Sequence, residues 1–322
     1  MSFGQMPIAN GFLKKKNFKN EFFFKMEVGF SKDVSLFQLN DHPKPKKMFN
    51  KNYPFFTGSS KGMINHFKEY SNWIKKNYLR KSSNLIEIGS NDGTFLSNFK
   101  DNKINVLGIE PSSNVARISK KKGIETMNSF FTYKNVKKLK RYKGNTDIIS
   151  AANVICHVPN LTDLIKGVDY LLNLDGLFIF EEPYLGSMYE KTSYDQIYDE
   201  HIFMFSATSI NKIYKLHGLK LVDVLPQKTH GGSMRYVIKK NNNIKISKRL
   251  KKILADEKKK NVDTLKGCYI FKKKVENSKK KLIENLKKMK KQNKKICGYG
   301  ATSKSTTILN YCKIGPNIID VI

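Results

Sequence analysis

The chain has 322 residues, 39% hydrophobic and 27% charged, enough for two domains at ~150 residues each and too apolar for a disordered chain. Its longest apolar runs, such as Gly176–Phe180, fall short of the ~20 residues that cross a bilayer, and Met1–Gln5 lacks the basic-then-apolar start of an export signal, so a cytoplasmic protein with no membrane partner is expected. The net charge of +33 rests on 55 lysines and 5 arginines; the lysines are scattered or sit on helical patterns such as Lys272–Lys295, so they read as solvated faces and no nucleic-acid partner is expected.

Residues 1–50 show little periodicity beyond a strand-like Ser35–Leu39, and Pro43 and Pro45 mark a linker. Residues 60–79 place Met63, Phe67, Tyr70 and Ile74 on one helical face. The period then changes. Strands are predicted at Asn84–Gly89, Ile104–Ile109, Ile124–Met127, Thr146–Ala152 and Gly176–Glu182. Helical patterns separate them at Phe95–Phe99, Asn114–Lys122 and Leu161–Leu172. A helix Ser209–His217 and strands Leu219–Leu225 and Ser233–Lys239 follow, then a lysine-rich helical stretch, 246–293. Lys295–Gly300 reads as a strand and glycine turn, Thr306–Cys312 as a helix, and Ile318–Ile322 as a last strand.

Strands alternating with helices predict an α/β fold with a mostly parallel sheet covered on both faces. The expected organisation is an N-terminal segment 1–50, a core domain 51–240, and a region 241–322 made of a helical linker and an incomplete second α/β domain. The four cysteines, Cys156, Cys268, Cys297 and Cys312, form no C-x-x-C pair, so free thiols are expected.

The turn Glu87-Ile-Gly89-Ser-Asn91-Asp-Gly93 follows a strand and precedes a helix. Glycines there let the backbone approach a ligand, and an acid at a strand end can take a polar ligand group. The spacing is not that of a dinucleotide fingerprint. It matches the first motif of class I S-adenosylmethionine methyltransferases, which implies a Rossmann-like fold and S-adenosyl-L-methionine as cofactor. Glu110, ending the next strand and followed by Pro111, is placed to accept from two ribose hydroxyls. Asn128, after the third strand, is either near the adenine or an ordinary turn residue. Asn153, after the fourth, sits where the methionine end would lie.

The second dense segment is Tyr198-Asp-Glu200-His201, after the fifth strand and hence at the carboxyl edge of the sheet. His201 can take a proton near neutral pH, Glu200 can fix its tautomer, and Tyr198 can donate to a developing oxyanion. The same residues would also suit a polar helix start at the surface.

Tyr198–His201, then Thr229-His-Gly-Gly-Ser-Met-Arg235, then Gly298-Tyr-Gly-Ala-Thr-Ser-Lys304 come in an order that resembles the sugar C-methyltransferases. Gly4–Phe12 and Asn52–Gly58 are similar to that family's N-terminal blocks. The resemblance implies methylation of C3 of a nucleotide-linked 4-keto-6-deoxysugar through an enolate, with a small-molecule nucleotide sugar as partner. It implies His201 as base, Tyr198 and Glu200 around the enolate, and His157 and Tyr53 as further active-site residues. His230, Arg235, Tyr299 and Lys304 would hold the sugar nucleotide. An O- or N-methyltransferase on another small molecule and a non-catalytic remnant are the rival readings.

The chain departs from that family in three ways. Ser31 and Val34 stand where a second pair of zinc cysteines would be, and no cysteine precedes Cys156, so no metal is expected and the N-terminal segment is expected to be a loose, degenerate zinc module. Ser305 follows Lys304 where glycine is common. The last domain reads as truncated.

Overall fold

The computed structural model describes residues 1–240 and 244–322. The expected boundary at 240/241 therefore abuts residues outside the described set. In chain order the strands are β1 (Ser2–Pro7), β2 (Phe23–Ser31), β3 (Leu36–Leu39), β4 (Asn84–Ile88), β5 (Asn105–Ile109), β6 (Thr126–Met127), β7 (Thr146–Ala152), β8 (Leu172–Pro183), β9 (Phe203–Met204), β10 (Lys220–Gln227) and β11 (Ser233–Lys239). The helices are α1 (Pro45–Met48), α2 (Lys61–Asn77), α3 (Ser113–Lys121), α4 (Tyr133–Val136), α5 (Leu161–Leu171), α6 (Leu185–Lys191), α7 (Ala207–Lys215), α8 (Lys248–Lys259), α9 (Leu265–Lys291) and α10 (Ser303–Cys312).

The expected Rossmann-like sheet is present, in the order β10-β11-β8-β7-β4-β5-β6. The β8-β7-β4-β5-β6 pairs are parallel, and β11 runs antiparallel between β10 and β8. Side chains alternate across a strand, and each strand here is apolar on both sides because helices cover both faces. Ile86, Ile88, Ile149, Ala151, Phe178 and Phe180 pack with α5 and α7 on one face. Leu85, Ile148, Leu177 and Ile179 pack with Phe67, Tyr70 and Ile74 of α2 on the other. The chain leaves β4 for β5 and β6 on one side, then returns to β7 and β8 on the other. The carboxyl ends of β4 and β7 therefore flank a topological switch point, where open α/β sheets bind ligands.

Residues 1–50 are more ordered than their weak periodicity suggests. They supply three antiparallel strands of a second sheet, β1-β2-β3-β9, whose last member comes from just after His201. Phe24, Met26 and Val28 alternate into a core shared with α6 and with Phe271 and Val275 of α9. Ser31 closes β2 and Val34 lies in the turn to β3. At the other end, Leu250 of α8 joins the core of the large sheet, while Leu282, Ile283 and Leu286 of α9 carry a small cluster with Ile296, Cys312 and Ile318. The predicted last strand is reduced to an isolated parallel bridge between Val321 and Cys297. Among the described residues no helix is long and apolar enough to cross a membrane.

Candidate active site

The switch point opens into a cleft of about 880 Å³. Its floor is the β4 turn. Gly89 has φ +67° there, and a Cβ at this position would run into Val154, so only glycine fits. Asn91, also left-handed, ties the turn to the segment before α2: its Oδ1 accepts from the Thr57 N–H at 3.0 Å and its Nδ2 donates to the Phe55 carbonyl at 3.1 Å. Glu110 is buried, its Oε2 accepting from the Asn91 N–H at 2.9 Å and its Oε1 from the Ser112 N–H at 2.7 Å. Burial pushes its carboxyl up, and those two N–H donors act against the rise. Each oxygen keeps a lone pair, held in a fixed direction at the cleft wall.

Gly89, Asn91, Glu110, Pro111 and Asn153 all line the cleft. Asn153 has φ +59° and a buried Oδ1 without a hydrogen-bond partner, an acceptor suited to an ammonium group. The fixed carboxylate, the bare glycine backbone and the orphan acceptor fit a ligand with ribose hydroxyls and an amino-acid end. Three expected residues serve this turn from outside the lining. Glu87 shares the α2 face with Leu85; it is buried, burial with Glu110 and Asp92 nearby pushes its carboxyl well up, and its Oε2 has no partner. Gly93 packs so tightly on Ser119 that a Cβ would lie 2.6 Å from its Oγ. Asn128 braces the wall instead of reaching a ligand, donating to the carbonyls of Glu110 at 2.7 Å and Pro111 at 3.0 Å. Phe130 and Phe131, which sequence reasoning missed, also line the cleft; an aromatic pair shortly after the third strand was the available signal.

The opposite wall carries Tyr53, His157, Tyr198 and Glu200. His157 belongs to a column of rings: Phe49 stacks on His157 at 5.5 Å, and His157 on His201 at 5.3 Å. His157 is buried with its Nε2 unpartnered, and burial with His230 nearby pushes it down to about 3. His201 does not line the cleft; it lies behind Tyr198 at 2% exposure. Burial, with His157 next to it, holds it neutral, well below the ordinary range. Its Nδ1 lies 2.8 Å from the Gln196 carbonyl, which can only accept, so Nδ1 carries the hydrogen. Nε2 is then the lone-pair side, and it accepts the Tyr198 O–H at 2.9 Å. Tyr198 thus presents its oxygen to the cleft with its proton already aimed at a base.

Glu200 does not touch the imidazole through any hydrogen bond; Asn10 donates to its Oε1 at 2.7 Å. Burial pushes Glu200 up to about 7 and Asp199 up to about 6. Cys156, His157 and His201 each bring a potential ligand atom within 4.8 Å of the others. Imidazole lone pairs lie in the ring plane, and these rings are stacked 21° from parallel, so they do not converge on one point.

Two substrate expectations need correction. Arg235 does not reach the cleft. Its Nε donates to Glu181 at 2.7 Å, and its guanidinium lies 3.9 Å over Tyr70 and 4.6 Å over Trp73. The same carboxylate meets His66 at 2.6 Å; despite burial, His66 and Arg235 hold Glu181 below its ordinary range. Arg235 faces this way because its neighbours Met234 and Tyr236 fill the other face of β11. Tyr299 is fully exposed and lines nothing. His230 and Lys304 do line the cleft, together with Thr302 and Ser303.

Comparison with known proteins gives the following matches. A methyltransferase domain model matches residues 64–224, half of the chain, and a C-methyltransferase C-terminal domain model matches residues 228–322. The C-methyltransferase NovU of Streptomyces niveus is 26% identical over 318 residues, covering 98% of this chain and 76% of that protein. Among solved structures, a chain of the complex between the Haloferax volcanii Trm112 methyltransferase activator and a methyltransferase overlays with a TM-score of 0.47 at 11% identity, over 57% of this chain and 95% of its own. Magnesium protoporphyrin IX methyltransferase of Synechocystis, with bound S-adenosylhomocysteine, gives 0.43 at 14% identity, over 56% and 84%. With a methyltransferase model spanning half its length, the chain belongs to the methyltransferase domain family and is an S-adenosylmethionine-dependent enzyme.

Proposed function

We propose that the protein methylates carbon, at C3 of a nucleotide-linked 4-keto-6-deoxysugar. The C-terminal family match and the NovU relative support carbon as the acceptor; the order of the Tyr198–His201, Thr229–Arg235 and Gly298–Lys304 blocks supports the sugar nucleotide. The observation that carries the reading is the hydrogen bond from Tyr198, on the cleft wall, to the neutral His201 behind it. A ketone at C4 acidifies the C3 hydrogen. The Tyr198 oxygen takes that proton as its own moves to His201 Nε2, and the pair left on carbon spreads on to the C4 oxygen as an enolate. S-adenosylmethionine supplies the electrophilic methyl group on its sulfonium sulfur. Glu110 and Asn153 hold the ribose and amino-acid ends of that cofactor, while His230 and Lys304 hold the nucleotide side of the sugar.

The test incubates the protein with S-adenosylmethionine and a panel of C3-deuterated 4-keto-6-deoxysugar nucleotides, and reads the products by mass spectrometry. One added methyl group with loss of the deuterium is expected. A methyl group on oxygen or nitrogen with the deuterium retained overturns the reading.

A further inference from the structure

The fold places a side chain from the N-terminal sheet inside the cleft, and nothing above gives it a task. Asn10 follows β1 and lines the cleft between two segments that are remote in sequence. Its Nδ2 donates to Glu200 Oε1 at 2.7 Å. Its Oδ1 accepts from the Ser303 hydroxyl, at the first turn of α10, at 3.0 Å. The neighbouring Ala9 N–H donates to Asp199 Oδ1 at 3.0 Å, so two consecutive residues hold two consecutive carboxyl groups. Thr307, one turn along α10, donates to the Ile197 carbonyl at 2.6 Å and pins the helix to the same segment.

We propose that Asn10 is a positioning residue that orients the Glu200 carboxylate, and that Ser303 fixes which way its amide points, so that the C-terminal loop and the reacting wall are set together. The chemistry is directional. An ionised carboxylate only accepts, so it requires the NH₂ side of the amide; the carbonyl side is then left for a donor, and Ser303 supplies one. A protonated Glu200 would instead donate, favouring the reversed amide with Ser303 as acceptor. The state of one carboxyl group therefore selects one of two arrangements across three segments. This rests on the reading of Glu200 as part of the reacting wall.

Glu200 is faced by Asp199 on its own segment, by Tyr198 and Tyr53, and by Cys156, and Lys304 beside Ser303 lines the same cleft. Burial raises it, and the Asn10 donor opposes that rise. Loss of a charge-assisted donor should therefore move its titration up by roughly one unit.

The test needs no substrate. Protein carrying ¹³C at the glutamate carboxyl is titrated by NMR, with Glu200→Gln assigning the resonance. Asn10→Ala should raise the Glu200 midpoint by roughly one unit, and Asn10→Asp, which keeps the shape and adds a like charge, should raise it further. Ser303→Ala should give a smaller rise in the wild-type background and none in Asn10→Ala. Calorimetric affinity for S-adenosylhomocysteine should stay unchanged in all of them, since the cofactor residues lie on other loops. A wild-type midpoint in both Asn10 variants overturns the proposal, as does a Ser303→Ala rise that persists without Asn10. If the titrations come out as expected but no methyl transfer to carbon occurs, the proposed function fails and the coupling stands.

Discussion

Tyr198→Phe is the most informative single change. It removes one oxygen from the cleft wall and leaves the ring, which stacks near His201 with centroids 4.2 Å apart, in place. Behind it, His201 Nε2 becomes a buried acceptor without a donor, which costs about 1–3 kcal/mol of stability. The chemical cost is separate. If the phenol oxygen carries the proton from carbon to His201, the variant loses a positioned base, and the rate should fall ~10²–10⁴-fold, or about 3–5 kcal/mol of barrier. His201→Asn should cost a similar factor, and the double variant little more, because residues that act as a unit do not add.

The assay is washout of C3 deuterium without methyl donor, beside single-turnover methylation, with S-adenosylhomocysteine affinity as the control. The competitor is His157, which lines the cleft with a free Nε2. Washout at the wild-type rate in Tyr198→Phe, with its loss in His157→Asn, refutes the relay and makes His157 the base. Washout lost only in His201→Asn would mean that the imidazole reaches the carbon past a phenylalanine, and would also refute it.

Three further outcomes follow. Glu110→Ala strands the Asn91 and Ser112 N–H groups and removes the ribose acceptor, so S-adenosylmethionine affinity should fall ~10–100-fold by calorimetry; wild-type affinity would contradict the site. Arg235→Leu leaves Glu181 buried with His66 alone, so it should lower stability by about 3–5 kcal/mol in denaturant titrations, whereas a stable variant with only a raised KM would return Arg235 to the substrate. Glu182 accepts from the Val154 and Ile155 N–H groups, and burial pushes it up to about 7. An acid raised in the folded state costs stability progressively as pH rises from about 4.5 to 7, so Glu182→Gln should raise unfolding free energy above pH 7 by up to ~3 kcal/mol in denaturant titrations and give no benefit below about pH 5; the reverse pH pattern would refute the assignment.

The glycine-turn side of the cleft was legible because its signals are local. A strand, a glycine turn and an acid ending the next strand determine their own geometry, and Gly89, Asn91 and Glu110 stand where that order puts them. What failed depended on facing and on distant pairing. Glu87 belongs to the glycine-turn motif and Arg235 to a family-like block, but neither pattern says which face of its strand a residue takes, and a one-residue difference decides that; both point toward α2, where Arg235 finds Glu181 in register across from it. The N-terminal sheet buries Phe24, Met26 and Val28 within a segment of weak overall periodicity, and its closure on β9 joins Phe37 to Met204, which no local pattern announces. Asn10 escaped notice for the same reason, since its partners are Glu200 and Ser303.

The site's protonation states argue for how such a cleft works inside a chain of net charge +33. Burial drives the histidines down, His157 to about 3 and His230 to about 4, and the acids up, Asp199 to about 6 and Glu200 to about 7. Lys304, on the cleft wall, is also pushed down by burial. Near neutral pH the wall's histidines are therefore neutral and its Glu200 carboxyl titrates close to that pH, while the surplus lysines lie on solvated helices such as α9. In that low-dielectric wall a proton leaving carbon creates a new charge pair, enolate and imidazolium, whose attraction is strong because little water screens it. The same burial makes His201 a poor base in isolation, so the transfer is favourable only when the enolate forms with it. A proton arriving from solvent meets the burial penalty without that partner, which keeps the imidazole neutral and ready for the proton from carbon.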